Sequence, residues 1–209
     1  MWVVKIGGSL NTDPLLPQWL DLLTELGGGR VTIVCGGGEF ADQVRRSQAH
    51  WHFDDLAAHN MAVLAMLQGA YMLRGLNPAL QIASADAEIR RVLHLGQTAV
   101  WSPLGHLREQ VDADTNWDVS SDSIALGLAL RLNVERLVLV KACRIDPALS
   151  LQQLGDAGVL DRRFANVARE AAFPIEILSH GELERARALL LGGSAPAPGW
   201  GAMPSRRHR

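Results

Sequence analysis

The chain has 209 residues, 48% of them hydrophobic and 20% charged, enough for one globular domain with a sizeable core. A net charge of −2 excludes the basic footprint of a nucleic-acid-binding protein. Lys5 interrupts the first apolar run and glycines follow it, so neither a secretory leader nor a bilayer-length apolar stretch is read, and the protein is expected to be cytoplasmic, with no membrane partner.

Residues 1–6 and VTIVC (31–35) are short β-branched runs that stop at glycines. Between them LLPQWLDLLTEL sets apolar residues at helical spacing, and GGGR ends that helix. Further helices are predicted from Ala41 to Gln48 and from Asp54 to Leu73. The second of these is rich in Ala, Leu and Met, and is expected to be mostly buried by core packing or a subunit contact. ALQIAS and TAVWSP read as strands flanking the helix DAEIRRVLHL. Ser120 to Leu132 reads as a helix entered through SSDS, followed by the strand ERLVLVK, a helix from Phe164 to Ala172, the strand PIEILSH and a closing helix from Glu182 to Leu191. Near-continuously apolar strands alternating with helices predict an α/β fold, a three-layer α/β/α sandwich around a mainly parallel sheet. It is read as one domain over 1–191, with a Gly-, Pro- and Ser-rich tail, 192–209, expected to be flexible. Cys35 and Cys143 each end a strand-like run and read as buried, reduced thiols rather than a disulfide.

Three turns of small residues fall at the carboxyl ends of these strands: Gly7-Gly8-Ser9, Gly36-Gly37-Gly38 and Ser120-Ser121-Asp122-Ser123. In open α/β sheets ligands collect at that edge. Glycines after a strand let backbone N–H groups approach an anion, and a helix N-terminus adds donors and partial positive charge. The same glycines also serve tight strand–helix packing. Neither GxxxxGK[ST] nor GxGxxG is present, so the common phosphate-binding fingerprints are absent. Two phosphate-friendly loops side by side suit transfer of a phosphoryl group between two ligands, a reaction catalysed mainly by positioning and charge neutralisation.

Only two of the 20 Lys and Arg residues are lysines, Lys5 and Lys141. Codon bias alone explains such scarcity, or each lysine is kept because a compact ammonium does what a guanidinium does not. Asp122 either serves the dipole of the helix it opens or pairs with Lys5 and keeps that ammonium charged.

VVKIGGSL, VCGGGEFAD and WDVSSDSIA, in this order and spacing, resemble the amino acid kinase (carbamate kinase-like) superfamily over roughly residues 1–190. The resemblance implies an open sheet of about eight strands with ATP and acceptor meeting over its carboxyl edge. It implies Lys5 as the residue touching the transferring phosphoryl group and Asp122 as its organiser. Gly7, Gly8 and Ser9 would hold phosphate, and Gly36, Gly37 and Gly38 the acceptor. Within the superfamily the chain is most similar to short kinases of furan-cofactor biosynthesis, which convert an aminomethylfuran-bearing phosphate monoester to its diphosphate. The likeness rests on AAHNMAV, on the Trp two residues before the SSDS-type turn, and on LDRRFANV with Asp161 and Phe164. For such an acceptor Glu39 and Asp118 would meet the ammonium and Trp117 would cover the ring. The same fold with another phosphate or a carboxylate acceptor, and a non-catalytic binding or regulatory paralogue, are the alternatives.

One departure stands out. Where relatives carry an acidic residue and a glycine after the strand, VLVKACRIDP puts Lys141 and Arg144. Either these touch the nucleotide phosphates or ATP binding has been lost. No lysine lies in the late loop, where relatives place a second cation; Arg162 and Arg163 are the available replacements. The expected cofactors are ATP and Mg2+, the metal held by nucleotide phosphates and water, because no His/Cys group has zinc spacing. A homo-oligomer is expected.

Overall fold

A computed structural model describes residues 1–112, 115–161 and 163–193. Six strands form one sheet: β1 (Trp2–Ile6), β2 (Val31–Cys35), β3 (Gln81–Ala83), β4 (Ala99–Trp101), β5 (Arg136–Lys141) and β6 (Ile175–Ser179). Their order is β3-β4-β2-β1-β5-β6, with every pairing parallel. The six strands are those read from the residues; the eight implied by the resemblance are not formed among the described residues. The helices are α1 (Leu16–Glu25), α2 (Gly38–Trp51), α3 (Asp55–Leu76), α4 (Asp86–His94), α5 (Ser121–Leu132), α6 (Leu151–Asp156), α7 (Phe164–Val167) and α8 (Leu183–Leu190).

β1 is central because all five of its residues are apolar or shielded, and it is buried throughout. Successive side chains of a strand point to opposite faces, and the two cores follow that alternation. Val3 joins Leu137, Leu139 and the buried face of α5, including Ala125, Leu126 and Ala129. Trp2, Val4 and Ile6 join Trp19, Leu20 and Leu23 of α1 and Leu189 and Leu190 of α8. Lys5 shares the parity of Val3, and Lys141 that of Leu137 and Leu139, so both lysines project toward the layer that holds α5. The connection leaving β1 crosses toward β2, whereas the one leaving β5 crosses toward β6. The β1–β5 junction is therefore the switch point of the sheet, where a crevice opens at the strand ends.

Several expectations need correction. α3 is long and apolar enough by length and composition to span a membrane, with mean hydropathy 1.2, and only 39% of that stretch is buried. It packs on α2 and across β2, β4 and β3, while Met61, Leu64, Tyr71 and Leu76 are exposed. Cys35 is buried but Cys143 is exposed. The helix expected over Phe164–Ala172 ends at Val167 and tightens to a 3-10 turn over Ala168–Glu170; Phe173 precedes Pro174, a position that disfavours helical backbone. α2 runs beyond both expected ends. Residues 194–209 of the predicted tail, and Arg162, lie outside the described residues.

Candidate active site

The turn after β1 and the turn after β2 interlock. A Cβ on Gly8 would stand 2.6 Å from the Gly38 Cα, and one on Gly36 would stand 2.5 Å from the Gly8 nitrogen. Gly38 also has φ +52°, which L side chains adopt rarely. A Cβ on Gly7 would stand 2.9 Å from the Val140 carbonyl oxygen, which accepts from the Gly7 N–H. Glycine is thus required here because it lets the two turns touch backbone to backbone.

Behind these turns the only two lysines of the chain converge on one carboxylate. The Lys5 Nζ stands 2.7 Å from Asp122 Oδ1, and the Lys141 Nζ 2.5 Å from Oδ2, donating a hydrogen bond. The Lys5 contact is a close, buried ion pair. The side chains of Lys5 and Asp122 are 4% and 3% exposed, that of Lys141 13%. Asp122 can lie this deep because it opens α5: Ser120 caps the helix by accepting the Asp122 N–H, and the dipole favours an anion in the first turn. Burial pushes the Asp122 carboxyl up, but the pull of Lys5 and then of Lys141 overcomes it and holds the group below its ordinary value. Burial lowers Lys141, and the charge of Lys5 lowers it further, against the opposing pull of Asp122 and Asp161. Burial pushes the Cys35 thiol up to about 12, leaving it inert.

On the β2 side lies a cleft of about 460 Å³. Gly8, Ser9, Gly37, Gly38, Ser120 and Ser121 floor it, Ala58, Ala62, Val63 and Met66 of α3 wall it, and Glu39, Asp42 and Asp55 set carboxylates around it. Trp117 lines it too, its indole N–H donating to Gln48 Oε1 at 2.7 Å. One face of that ring carries the Arg45 guanidinium, 4.3 Å from the ring centroid, while Asp42 pairs with the same arginine. Burial lowers His59, another lining residue, whose Nε2 lies 3.0 Å from the His106 carbonyl oxygen. On the other side, beyond β5 and β6, a second cleft of about 330 Å³ is lined by Arg144, Ile145, Pro147, Ser179, Glu182 and Arg185. The sheet order places the two lysines between the clefts.

Asp118 and Arg163 line neither cleft, and Arg163 sits at the N-cap of α7. The cation that the structure brings beside Lys5 at Asp122 is Lys141, from the end of β5. Arg45, in the VRR segment that follows GGGEFAD, received no role from the sequence, and neither did Asp161, although its carboxylate bonds the first turn of α5.

A sequence profile of the amino acid kinase family matches residues 1–143. The chain belongs to the amino acid kinase family. Among curated members, the [5-(aminomethyl)furan-3-yl]methyl phosphate kinase of Methanocaldococcus jannaschii is 28% identical over 145 residues, a match spanning 66% of this chain and 64% of that relative's length. Uridylate kinase of Archaeoglobus fulgidus superposes with a TM-score of 0.68 at 15% identity, covering 92% of this chain and 96% of that one. UMP kinase of Bacillus anthracis gives 0.65 at 18%, covering 91% of each. These likenesses show that the fold extends past the profile match, across α6, α7, β6 and α8.

Proposed function

We propose that this family member is an ATP-dependent phosphotransferase whose acceptor is a small phosphate monoester, with the acceptor in the cleft beside β2 and the nucleotide in the cleft beyond β5 and β6. The observation that carries the reading is the single buried carboxylate shared by the only two lysines. Two ammonium groups at the switch point, between two clefts, suit a γ-phosphoryl group passing from one side to the other, where charge must be neutralised throughout.

The same observation supports the acceptor class. Transfer to an alcohol calls for a base to take its proton. Asp122, held ionised between two cations, is a poor one. A phosphate monoester, with a second pKa of about 6, presents an oxyanion with no proton to lose. Its oxygen attacks the γ-phosphorus, the bond to the β-bridging oxygen breaks, and ADP and a diphosphate leave. Lys5 and Lys141 hold the equatorial oxygens, and N–H groups of the Gly8 and Gly37–Gly38 turns hold the acceptor phosphate. Magnesium arrives with the nucleotide as MgATP; among the described residues no three His, Cys, Asp or Glu side chains are grouped to hold a metal.

For the acceptor itself we infer 5-(aminomethyl)furan-3-ylmethyl phosphate, converted to its diphosphate in methanofuran or methylofuran biosynthesis. Trp117 and the α3 wall accommodate a flat ring, and the carboxylates of Glu39, Asp42 and Asp55 suit an ammonium. The workplace that follows from ATP use is the cytoplasm, and the exposed apolar face of α3 supports a homo-oligomer. The test is turnover of MgATP with this phosphate and, separately, with UMP, followed by 31P NMR of the product. A new diphosphate from the furan compound alone is the expected result. Turnover with UMP alone overturns the acceptor, and absence of both turnover and ATP binding overturns the kinase.

A further inference from the structure

Asp161 makes more contacts to the site than its place in a late loop suggests. Its Oδ2 accepts from the Ser120 N–H at 3.0 Å, the Ser120 hydroxyl at 2.9 Å and the Ser123 N–H at 2.9 Å. Its Oδ1 accepts from the Ser123 hydroxyl at 2.5 Å and the Phe164 N–H at 2.8 Å. One carboxylate thus joins the first turn of α5 to the first turn of α7. Ser120 and Ser123 flank the residue that holds both lysines. Asp161 also ends the segment that leaves Lys141 and lines the second cleft through Arg144, Ile145 and Pro147. The far end is anchored firmly, because Phe164 is fully buried against α5 and α6 residues.

Resting on the phosphotransferase reading above, we propose that Asp161 is a positioning residue: it fastens the nucleotide-side segment to the helix turn that carries Asp122, so that the register of Asp122 against Lys5 and Lys141 depends on it. A helix N-terminus ordinarily takes its cap from its own flank, and Ser120 already accepts the Asp122 N–H. A second carboxylate, brought from 38 residues further along the chain to the Ser123 N–H, is needed for something the local cap does not supply. It fixes the rotation of the turn, and hence which oxygen of Asp122 faces which lysine. It also adds negative charge on the Lys141 side, where it works against the loss of that proton.

The scarcity of lysine makes this testable without turnover. Protein grown on lysine labelled at the ε-carbon gives two side-chain resonances, assigned with Lys141→Arg. Asp161→Asn keeps a hydrogen-bond acceptor and removes the charge; Ser123→Ala removes one bond and keeps the charge. The expected result is a lower titration midpoint for Lys141 in Asp161→Asn, and a midpoint near that of the unaltered protein in Ser123→Ala. In kinetics, Asp161→Asn should lose at least tenfold in kcat with the acceptor KM changed no more than about twofold, and its alkaline limb should move to lower pH. A Lys141 midpoint unmoved in folded Asp161→Asn, or kcat within twofold of the unaltered enzyme, overturns the assignment. If no acceptor is turned over by the unaltered protein, the phosphotransferase reading fails, and the lysine titration still decides whether Asp161 positions this cluster. Should Asp161→Asn not fold, Asp161→Glu, which keeps the charge and displaces the carboxylate, takes its place: lost kcat with an intact melting curve supports positioning, and unaltered kcat overturns it.

Discussion

Replacing Asp122 by Asn removes the one anion between two buried ammonium groups while keeping the side-chain shape. At an effective dielectric of about 20, contacts of 2.7 and 2.5 Å are each worth about 6 kcal/mol of attraction. Desolvating each of the three ions costs several kcal/mol, so the intact triad is close to balance. Its half-removal is not, because orphaning a buried charge costs about 3–5 kcal/mol. The folded variant escapes by releasing a proton from one lysine. That penalty holds one ammonium well below its ordinary value of about 10.4. Between that depressed value and 10.4 the unfolded chain binds more protons than the folded one, so the stability of the variant rises with pH. In the unaltered protein the lowered Asp122 contributes stability above the ordinary carboxylate range, and that contribution is lost as pH falls through its folded value. Denaturant unfolding of both proteins at pH 6, 7.5 and 9 checks this. The expected deficit is about 3–5 kcal/mol at pH 6, shrinking markedly by pH 9. A deficit that is flat with pH, or below about 1 kcal/mol at pH 6 where a buried unpaired charge should cost most, refutes the reasoning.

Lys5→Ala should lower kcat about 10²–10³-fold, the usual loss for one preorganised donor, with the acceptor KM nearly unchanged; a loss under tenfold in steady-state kinetics would sink its assigned role. Because burial and Lys5 lower Lys141, the rate should fall as pH rises through a value below the ordinary lysine pKa, and Lys141→Arg, charged at all accessible pH, should move that limb upward in a pH–rate profile. Gly8→Ala drives a methyl group into Gly38 and should cost about 1–3 kcal/mol, as overpacking does, together with most activity; an unchanged denaturation midpoint contradicts the interlocked turns. Leu64→Glu, on the exposed face of α3, should lower the mass found by sedimentation velocity, whereas a monomeric parent protein rules out an oligomer through that face.

The strands were legible because a parallel sheet buries both faces of each strand, and VVKI, VTIVC and RLVLV carry that signal in a few residues. Lys5 and Asp122 were legible from their motifs. Lys141 was noticed for its rarity, but its partner was not, since nothing in VLVKACRIDP states that the strand end lies over the first turn of a helix 19 residues earlier. Parity along β5 offered the missing clue: Lys141 follows Leu137 and Leu139 onto the α5 face. α6 had a readable start in Ser150 and Gln153, a reciprocal cap passed over because its helix is short. The stacking of Arg45 on Trp117 joins α2 to the loop before α5, and no local pattern encodes such a meeting.

The mutual contact of Gly8 with Gly36 and Gly38 has a bearing on how this protein can change. Two loops packed backbone to backbone behave as a single floor tile: neither can gain a side chain or shift without dislodging the other. On the acceptor site proposed above, adaptation to a different acceptor is therefore channelled into the walls, where Ala58, Ala62, Val63 and Met66 line the cleft from α3. Redesign of acceptor choice should begin at those four positions and leave the glycines alone.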